Sequence, residues 1–405
     1  MNPRKRVVVA AACRTPFGKF GGSLKDISIY DLSAHVMKGV LDRARIQGAQ
    51  LDEIFWGVGS TAEAEDVTTP VVARQAQLKA GIPATVPSQS IDRACCSSTA
   101  AICNAVRLIR SGEIGVAIAG GVEALSRTPF VLKGARWALP KLGNVALEDP
   151  LFQLGYKAFA PVAVDAGTVA LSHGITREMQ DEYAVESQRR WASAQAEGRF
   201  SDELHPIDVK ERGVSRRFDT DEFPRRDTTL EALARLPPLY GSPTVTAGNA
   251  PGLNDGASAI LLMSEERARA TGAPVLGYVV DVASIAIEPA LIAEAPAHAI
   301  RVVLSGNGMH LGDVAVLEIN EAFAAVVLTT LSILAENDRP TATALRARTN
   351  VNGGAIAIGH PNAATGARIT MTALYELRRR CGRYAVSALC GGLAQGDAVL
   401  LEAAP

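Results

Sequence analysis

No excess of basic charge, no membrane-length apolar run and no metal-type spacing of cysteine or histidine occurs in this sequence, and each absence removes a class of function. Formal net charge is −1, from 41 basic and 42 acidic residues, so no basic field is available to hold nucleic acid or an anionic membrane. An anionic ligand would have to be held by local groups. No apolar stretch approaches the roughly 20 residues of a membrane span. Six cysteines (Cys13, Cys95, Cys96, Cys103, Cys381, Cys390) form no disulfide framework and no C-x2-C pair, which makes a reduced cytoplasm the expected compartment. The six histidines are scattered, with no H-E-x-x-H pair to suggest a metal. The apolar run Val7 to Ala12 is shorter than the h-region of a signal peptide and reads as a first strand behind a solvated basic tail.

What is present is a long, apolar chain, 405 residues with 48% hydrophobic and 20% charged, enough for two or three packed units. Val7–Ala12, Ile54–Gly57, Val86–Ile91 and Gly115–Ala119 read as strands. Helices are expected at Ile29–Ala44, from Pro70 to about Ala80, and at Thr99–Arg110. Such alternation argues for an α/β unit with a largely parallel sheet. From Glu123 to about Tyr240 the pattern breaks around one strong helix, Thr176–Glu197, followed by a charged, proline-bearing loop, Asp202–Pro238; the region reads as an insertion. Val275–Val282 then begins what looks like the first half again. Ala34-His35 and Ala297-His298 head similar helices, and A-G-G at Ala119–Gly121 is echoed by C-G-G at Cys390–Gly392. A duplicated α/β unit follows.

The stretch S-I-D-R-A-C-C-S-S-T-A-A, Ser90–Ala101, places Cys95 ahead of a helix whose first residues are small. Unpaired N–H groups and the dipole of a helix start favour a thiolate, so a pKa below that of free cysteine is expected. Equally, a cysteine here can pack as a small hydrophobe, and on this stretch alone the two readings stand side by side. In the second half, G-H-P-N-A-A-T-G-A-R puts His360 at the start of the corresponding helix, and the two starts could face each other across a pseudo-two-fold axis.

Six motifs in order make the chain resemble the thiolases, the acyl-CoA:acetyl-CoA C-acyltransferases, over nearly its whole length. They are D-R-A-C-C-S-S (92–98), A-G-G-V-E-A-L-S (119–126), T-A-G-N-A-P-G-L-N-D-G-A (246–257), N-E-A-F-A (320–324), G-H-P-N-A-A-T-G-A-R (359–368) and C-G-G-L-A-Q-G (390–396). The resemblance implies a five-layered αβαβα fold of two like halves, 1–122 plus 241–272 and 273–405, with a loop domain at 123–240. It also implies a homodimer or homotetramer that takes acyl-CoA and CoA as substrates and holds no tightly bound cofactor or metal. By position, Cys95 is the nucleophile, His360 its base and Cys390 the acid/base at the substrate α-carbon. His360 with a water held by Asn320 serves one oxyanion hole, and the N–H groups of Cys95 and Gly392 serve the other. Arg225, with Arg226 as alternative, falls on the CoA nucleotide, and Ala247 and Pro251 fall on the CoA side of the site. Cys96 is read as inert, with a vicinal disulfide as the minor alternative.

Several positions depart from the family pattern. Asp92 stands for a frequent Asn, Ala363 for a Gly, and Pro251 for a Ser that contacts pantetheine; proline offers neither hydroxyl nor N–H there. Ala160–Thr168 and Ile292–Pro296, where the family lines its acyl pocket, are also unlike the short-chain biosynthetic members. A substrate longer or more branched than acetoacetyl-CoA is expected. The rivals are an acyl-CoA or lipid-binding relative without turnover, and a ketosynthase, a branch that usually carries histidine where this chain has Cys390.

Overall fold

The computed structural model describes residues 6–59, 71–138, 142–152, 156, 158–211 and 213–404. Its strands are β1 (Val7–Arg14), β2 (Gly18–Lys19), β3 (Glu53–Val58), β4 (Ser88–Ile91), β5 (Val116–Ala124), β6 (Ile207–Glu211), β7 (Val214–Phe218), β8 (Asn254–Ser264), β9 (Gly277–Ala286), β10 (Val314–Ile319), β11 (Tyr384–Gly391) and β12 (Gln395–Ala403). The main sheet runs β10-β11-β12-β9-β1-β8-β5-β3-β4. It is continuous across the short antiparallel pairing of β1 with β9, Val7 with Val279 to Val9 with Gly277.

The duplication is visible in the pairing. In the first half β3 lies parallel to β5, β5 antiparallel to β8, and β8 antiparallel to β1. In the second, β10 lies parallel to β11, β11 antiparallel to β12, and β12 antiparallel to β9.

Strand periodicity produces the layers. Val8 and Ala10 of β1, with Leu261 and Met263 of β8, face the Ile29–Ala44 helix and its Leu32, Val36, Met37 and Val40. Val7, Val9, Ile260 and Leu262 point the other way. They meet Ile102, Val106 and Ile109 of the Ser97–Ser111 helix, and Met371, Leu374 and Leu377 of the Thr365–Arg379 helix. Beyond this middle layer, Leu317, Val386 and Leu400 pack on the helices Ala295–Ser305 and Ala324–Leu334 through Ile300, Val303, Val327 and Leu331. Helix, sheet, helix, sheet, helix is the result, with the two buried helices at the centre. Both faces of each half of the main sheet are covered, so β1 reads as an unbroken apolar run rather than an alternation.

Four expectations change. The main sheet is mixed and not largely parallel: among the described residues only β3 with β4, β3 with β5 and β10 with β11 run parallel, because the other neighbours in the sheet pair antiparallel. Strand β5 does not stop at Ala119 but continues through the two glycines. There a β-carbon on Gly120 would strike Ser258 O, and one on Gly121 would strike Ala363 O, so these glycines admit close neighbours and do not turn the chain. The stretch read as loop carries the β6–β7 hairpin, and a further helix, Val162–Ser172, precedes the strong one at Arg177–Ala196. Thr176 caps the latter, accepting from Met179 N, as its side-chain type predicts. The second helix is described from Val72 to Lys79; Pro70, expected to open it, lies outside the described residues.

Two buried carboxylate systems fasten the stretch 183–221 to the layered body. Glu321 accepts from Tyr183 Oη and Ser187 Oγ, each at 2.8 Å. Arg14, fully buried, reaches Glu203 at 2.7 Å and Asp221 at 2.6 Å. Satisfied pairs of this kind define one docking geometry, because an unpaired buried charge is costly.

Candidate active site

The start of each buried helix is a short 3-10 turn, Ala94–Cys96 before one and Asn362–Ala364 before the other. Cys95 therefore sits just ahead of its helix, and His360 stands five residues before Thr365 instead of at the helix start. Asp92 Oδ1 accepts from Ala94 N at 2.9 Å and steadies Ala94 at φ 50°, a conformation uncommon for alanine.

The two starts converge. His360 Nε2 lies 3.2 Å from Cys95 Sγ, and Nδ1 lies 2.7 Å from Thr365 Oγ1. His360 N donates to Asn254 Oδ1 at 2.9 Å, which fixes the backbone beneath the ring. Asn320 Nδ2 approaches Nε2 at 3.5 Å, while Asn320 Oδ1 is buried without a partner among the described residues. With Thr365 accepting from Nδ1–H, Nε2 is the lone-pair nitrogen and faces the thiol.

Burial pushes the Cys95 thiol up, and Cys390, Glu123 and Asp92 act in the same direction. Burial likewise pushes His360 down to about 3, with Arg368 adding to the effect. This corrects the expectation of a thiol acidified by its helix. Burial thus favours a neutral S–H···N pair over an ion pair, because desolvation penalises both charged forms and opposes the helix start. One consequence is testable with iodoacetamide: the inactivation rate should climb steadily from pH 6 to 8, with no plateau. Asp92→Asn should raise the rate at fixed pH by roughly two- to fivefold, the scale of removing one partly screened charge. A plateau beginning near pH 6 would instead signal a preformed ion pair.

Cys390, 2% exposed, ends β11, and burial pushes its thiol up to about 12. Gly392 follows on the next turn, beside Ala94. Cys96 is a free, buried thiol packed with Ile369 and Leu389, so the vicinal disulfide is absent. Arg225 and Arg226 are exposed, over the Phe223 and Trp191 rings. Phe223 covers Gly252, and neighbouring Leu253 bridges to the His360 backbone, which links the Arg225 and Pro251 stretches to the chain at His360. Ala247 is exposed on the turn before Pro251.

Sequence reasoning missed Thr365, Asn254 and Tyr156. A hydroxyl within the G-H-P motif was the available signal for Thr365. Tyr156 had none: its hydroxyl stands against Gly392, where a β-carbon would be, and its pKa is raised by burial first and then by Cys95 and Asp92. The two segments that depart from the family pattern pack together, since the Val162–Ser172 helix lies on the Pro289–Glu294 turn, and just past that helix His173 Nε2 lies 3.0 Å from Glu294 Oε1. Their Ala163, Ala166, Ala293 and Ala295 share one apolar cluster with Cys390.

The thiolase N-terminal domain model matches residues 7–266, and the thiolase C-terminal domain model matches residues 273–403. An acetyl-CoA acetyltransferase of Pseudomonas aeruginosa is 41% identical, over 98% of this chain and 98% of its own. A beta-ketoadipyl-CoA thiolase of Pseudomonas putida is 38% identical, over 98% and 99%. Human mitochondrial 3-ketoacyl-CoA thiolase, solved in complex with CoA, superposes with a TM-score of 0.91 at 36% identity, over 99% of this chain and 98% of that one. Both halves of the chain, its layered fold and its full-length relatives agree, and the chain belongs to the thiolase family of acyltransferases.

Proposed function

We propose that this thiolase cleaves a 3-ketoacyl-CoA with CoA, and runs the reverse condensation, through an acyl group on Cys95. The observation that carries this reading is the 3.2 Å approach of His360 Nε2 to Cys95 Sγ. His360 takes the thiol proton as sulfur attacks the 3-keto carbon. The bond between C2 and C3 then breaks, the acyl chain stays on sulfur, and the departing acetyl-CoA carbanion takes a proton at C2 from Cys390. In the second half CoA gives its thiol proton to the Cys390 thiolate and attacks the acyl-cysteine as a thiolate, and Cys95 leaves and recovers its proton from His360. A thioester exchanged for a thioester keeps the sequence reversible. His360 with a water held by Asn320, and the N–H groups of Cys95 and Gly392, are the donors for the two developing oxyanions. Arg225 or Arg226 holds the CoA nucleotide, with Ala247 and Pro251 along the path inward. The division into halves 1–122 plus 241–272 and 273–405 around an insertion at 123–240, a homodimeric or homotetrameric state and a cytoplasmic location complete the reading.

Ala163, Ala166, Ala293 and Ala295 support an acyl side built from small side chains. Relatives named for acetyl-CoA, 3-ketoacyl-CoA and beta-ketoadipyl-CoA have similar identities, so overall likeness does not select among acyl groups. Intact-mass spectrometry after brief exposure to acyl-CoA should show one acyl adduct, on the peptide holding Cys95. Thiolysis of a ladder of 3-ketoacyl-CoA lengths should give a higher kcat/KM for a longer or branched member than for acetoacetyl-CoA. Label confined to Cys96 or Cys390 would overturn the nucleophile, and a maximum at acetoacetyl-CoA would overturn the substrate class.

A further inference from the structure

Arg93 stands two residues before Cys95, and its side chain crosses into the other half of the molecule. Its Nε donates to Gln395 Oε1 at 2.9 Å, and its Nη1 pairs with Asp397 Oδ1 at 3.1 Å. Both partners begin β12, directly after the turn that holds Gly392. Gln395 reaches back along that turn, where its Nε2 donates to Gly392 O at 3.2 Å. The turn needs such a hold, because Leu393 and Ala394 sit at φ 57° and 58°, in the left-handed region that side chains avoid.

The main chain of the same residue braces the other turn. Arg93 O accepts from Cys96 N at 3.1 Å, and Arg93 N donates to Ser97 Oγ at 2.8 Å. Ser97 Oγ in turn donates to Ala94 O at 2.6 Å. Ala94, at φ 50°, is the strained residue of this side. One residue thus ties together two strained turns, of which one presents the Cys95 N–H and the other the Gly392 N–H.

We propose that Arg93 is a positioning residue that, through Gln395, holds the Cys95 and Gly392 N–H groups in register as a single oxyanion-binding pair. The inference rests on the acyl-cysteine reading above. Arginine suits the task because its rigid fork addresses two acceptors at once, while lysine offers a single point charge. A purely structural role would be different: Asp397 is fully buried, and Arg93 would serve only to balance its charge.

Three variants separate the two roles. Arg93→Lys keeps a cation for Asp397 and gives up the two-headed reach; Gln395→Leu keeps the ion pair and cuts the link to Gly392; Asp397→Asn removes the charge that needs balancing. Positioning predicts that Arg93→Lys and Gln395→Leu each lower kcat about 10²-fold, the scale of a 1 Å misplacement, with KM shifted by no more than roughly threefold. Asp397→Asn should stay within about twofold of wild type in kcat. The proposal is overturned if Arg93→Lys and Gln395→Leu acylate and turn over at wild-type rates, or if Asp397→Asn is as damaging as they are. Intact-mass measurement on the same samples keeps the two claims apart. Absence of label from Cys95 in the unaltered protein would remove the underlying reading, whereas label on Cys95 at an unchanged rate in Arg93→Lys and Gln395→Leu would remove this inference alone.

Discussion

With Cys390 replaced by alanine, the protein should still take an acyl group from acyl-CoA onto Cys95 at close to the wild-type rate. Thiolysis of a 3-ketoacyl-CoA should fall by about 10²-fold or more, the scale of a lost general acid or base. Acyl transfer breaks and forms only carbon–sulfur bonds, and draws on Cys95, His360 and N–H donors. Cleavage between C2 and C3 also needs a proton delivered at C2. Cys390 suits that delivery, since burial pushes its thiol up to about 12 and so keeps it protonated at neutral pH. The same property works against condensation, in which Cys390 must first lose that proton to become a base. Acyl-enzyme formation and turnover, measured side by side on one Cys390→Ala preparation, make the test. Cys95→Ala should lose both activities. Equal collapse of both in a folded Cys390→Ala would mean that Cys390 shapes the site and does not relay the proton.

Much of this architecture was legible because both halves of the main sheet are covered on two faces, which turns strands such as Val7–Arg14 into continuous apolar runs. Helix limits such as Ile29–Ala44 and Thr176 before Arg177 were equally readable from periodicity and cap chemistry. The β6–β7 hairpin was hidden because only scattered residues, among them Val209 and Phe218, are buried there, leaving a largely polar surface pattern. Glycines 120 and 121 looked like a strand end because local reasoning cannot see Ser258 or Ala363 pressing on them from distant parts of the chain. Cys95, His360, Asn320 and Cys390 were singled out through motif resemblance, whereas Tyr156 and Arg93 stand where they do through contacts that no spacing rule encodes. The ionisation of Cys95 was misread for a related reason. A helix start is a local feature, but the burial that opposes it is contributed by both halves of the molecule.

Gly366 shows how directly that packing sets the chemistry, and its replacement by alanine should slow acylation of Cys95 about 10²-fold. The starts of the two buried helices touch there. Ala367 N donates to Ser98 Oγ at 3.0 Å, and a β-carbon on Gly366 would lie 2.7 Å from Thr99 N and closer still to Thr99 Oγ1. Backbone cannot yield as a flexible side chain does, so the Thr365–Arg379 helix must lift away from the Ser97–Ser111 helix. Thr365 is the first residue of the lifted helix and holds Nδ1 of His360, so the imidazole moves with it, away from a sulfur now 3.2 Å distant. Overpacking of this kind should also lower stability by about 1–3 kcal/mol. Gly312→Ala is the matched control, because a β-carbon there meets nothing within 4 Å. Denaturant unfolding and single-turnover acylation, run on both variants, decide the matter. A Gly366→Ala protein that loses stability but acylates at the wild-type rate would show that the helix ends yield without carrying His360, and that the contact between them does not fix the distance from nitrogen to sulfur.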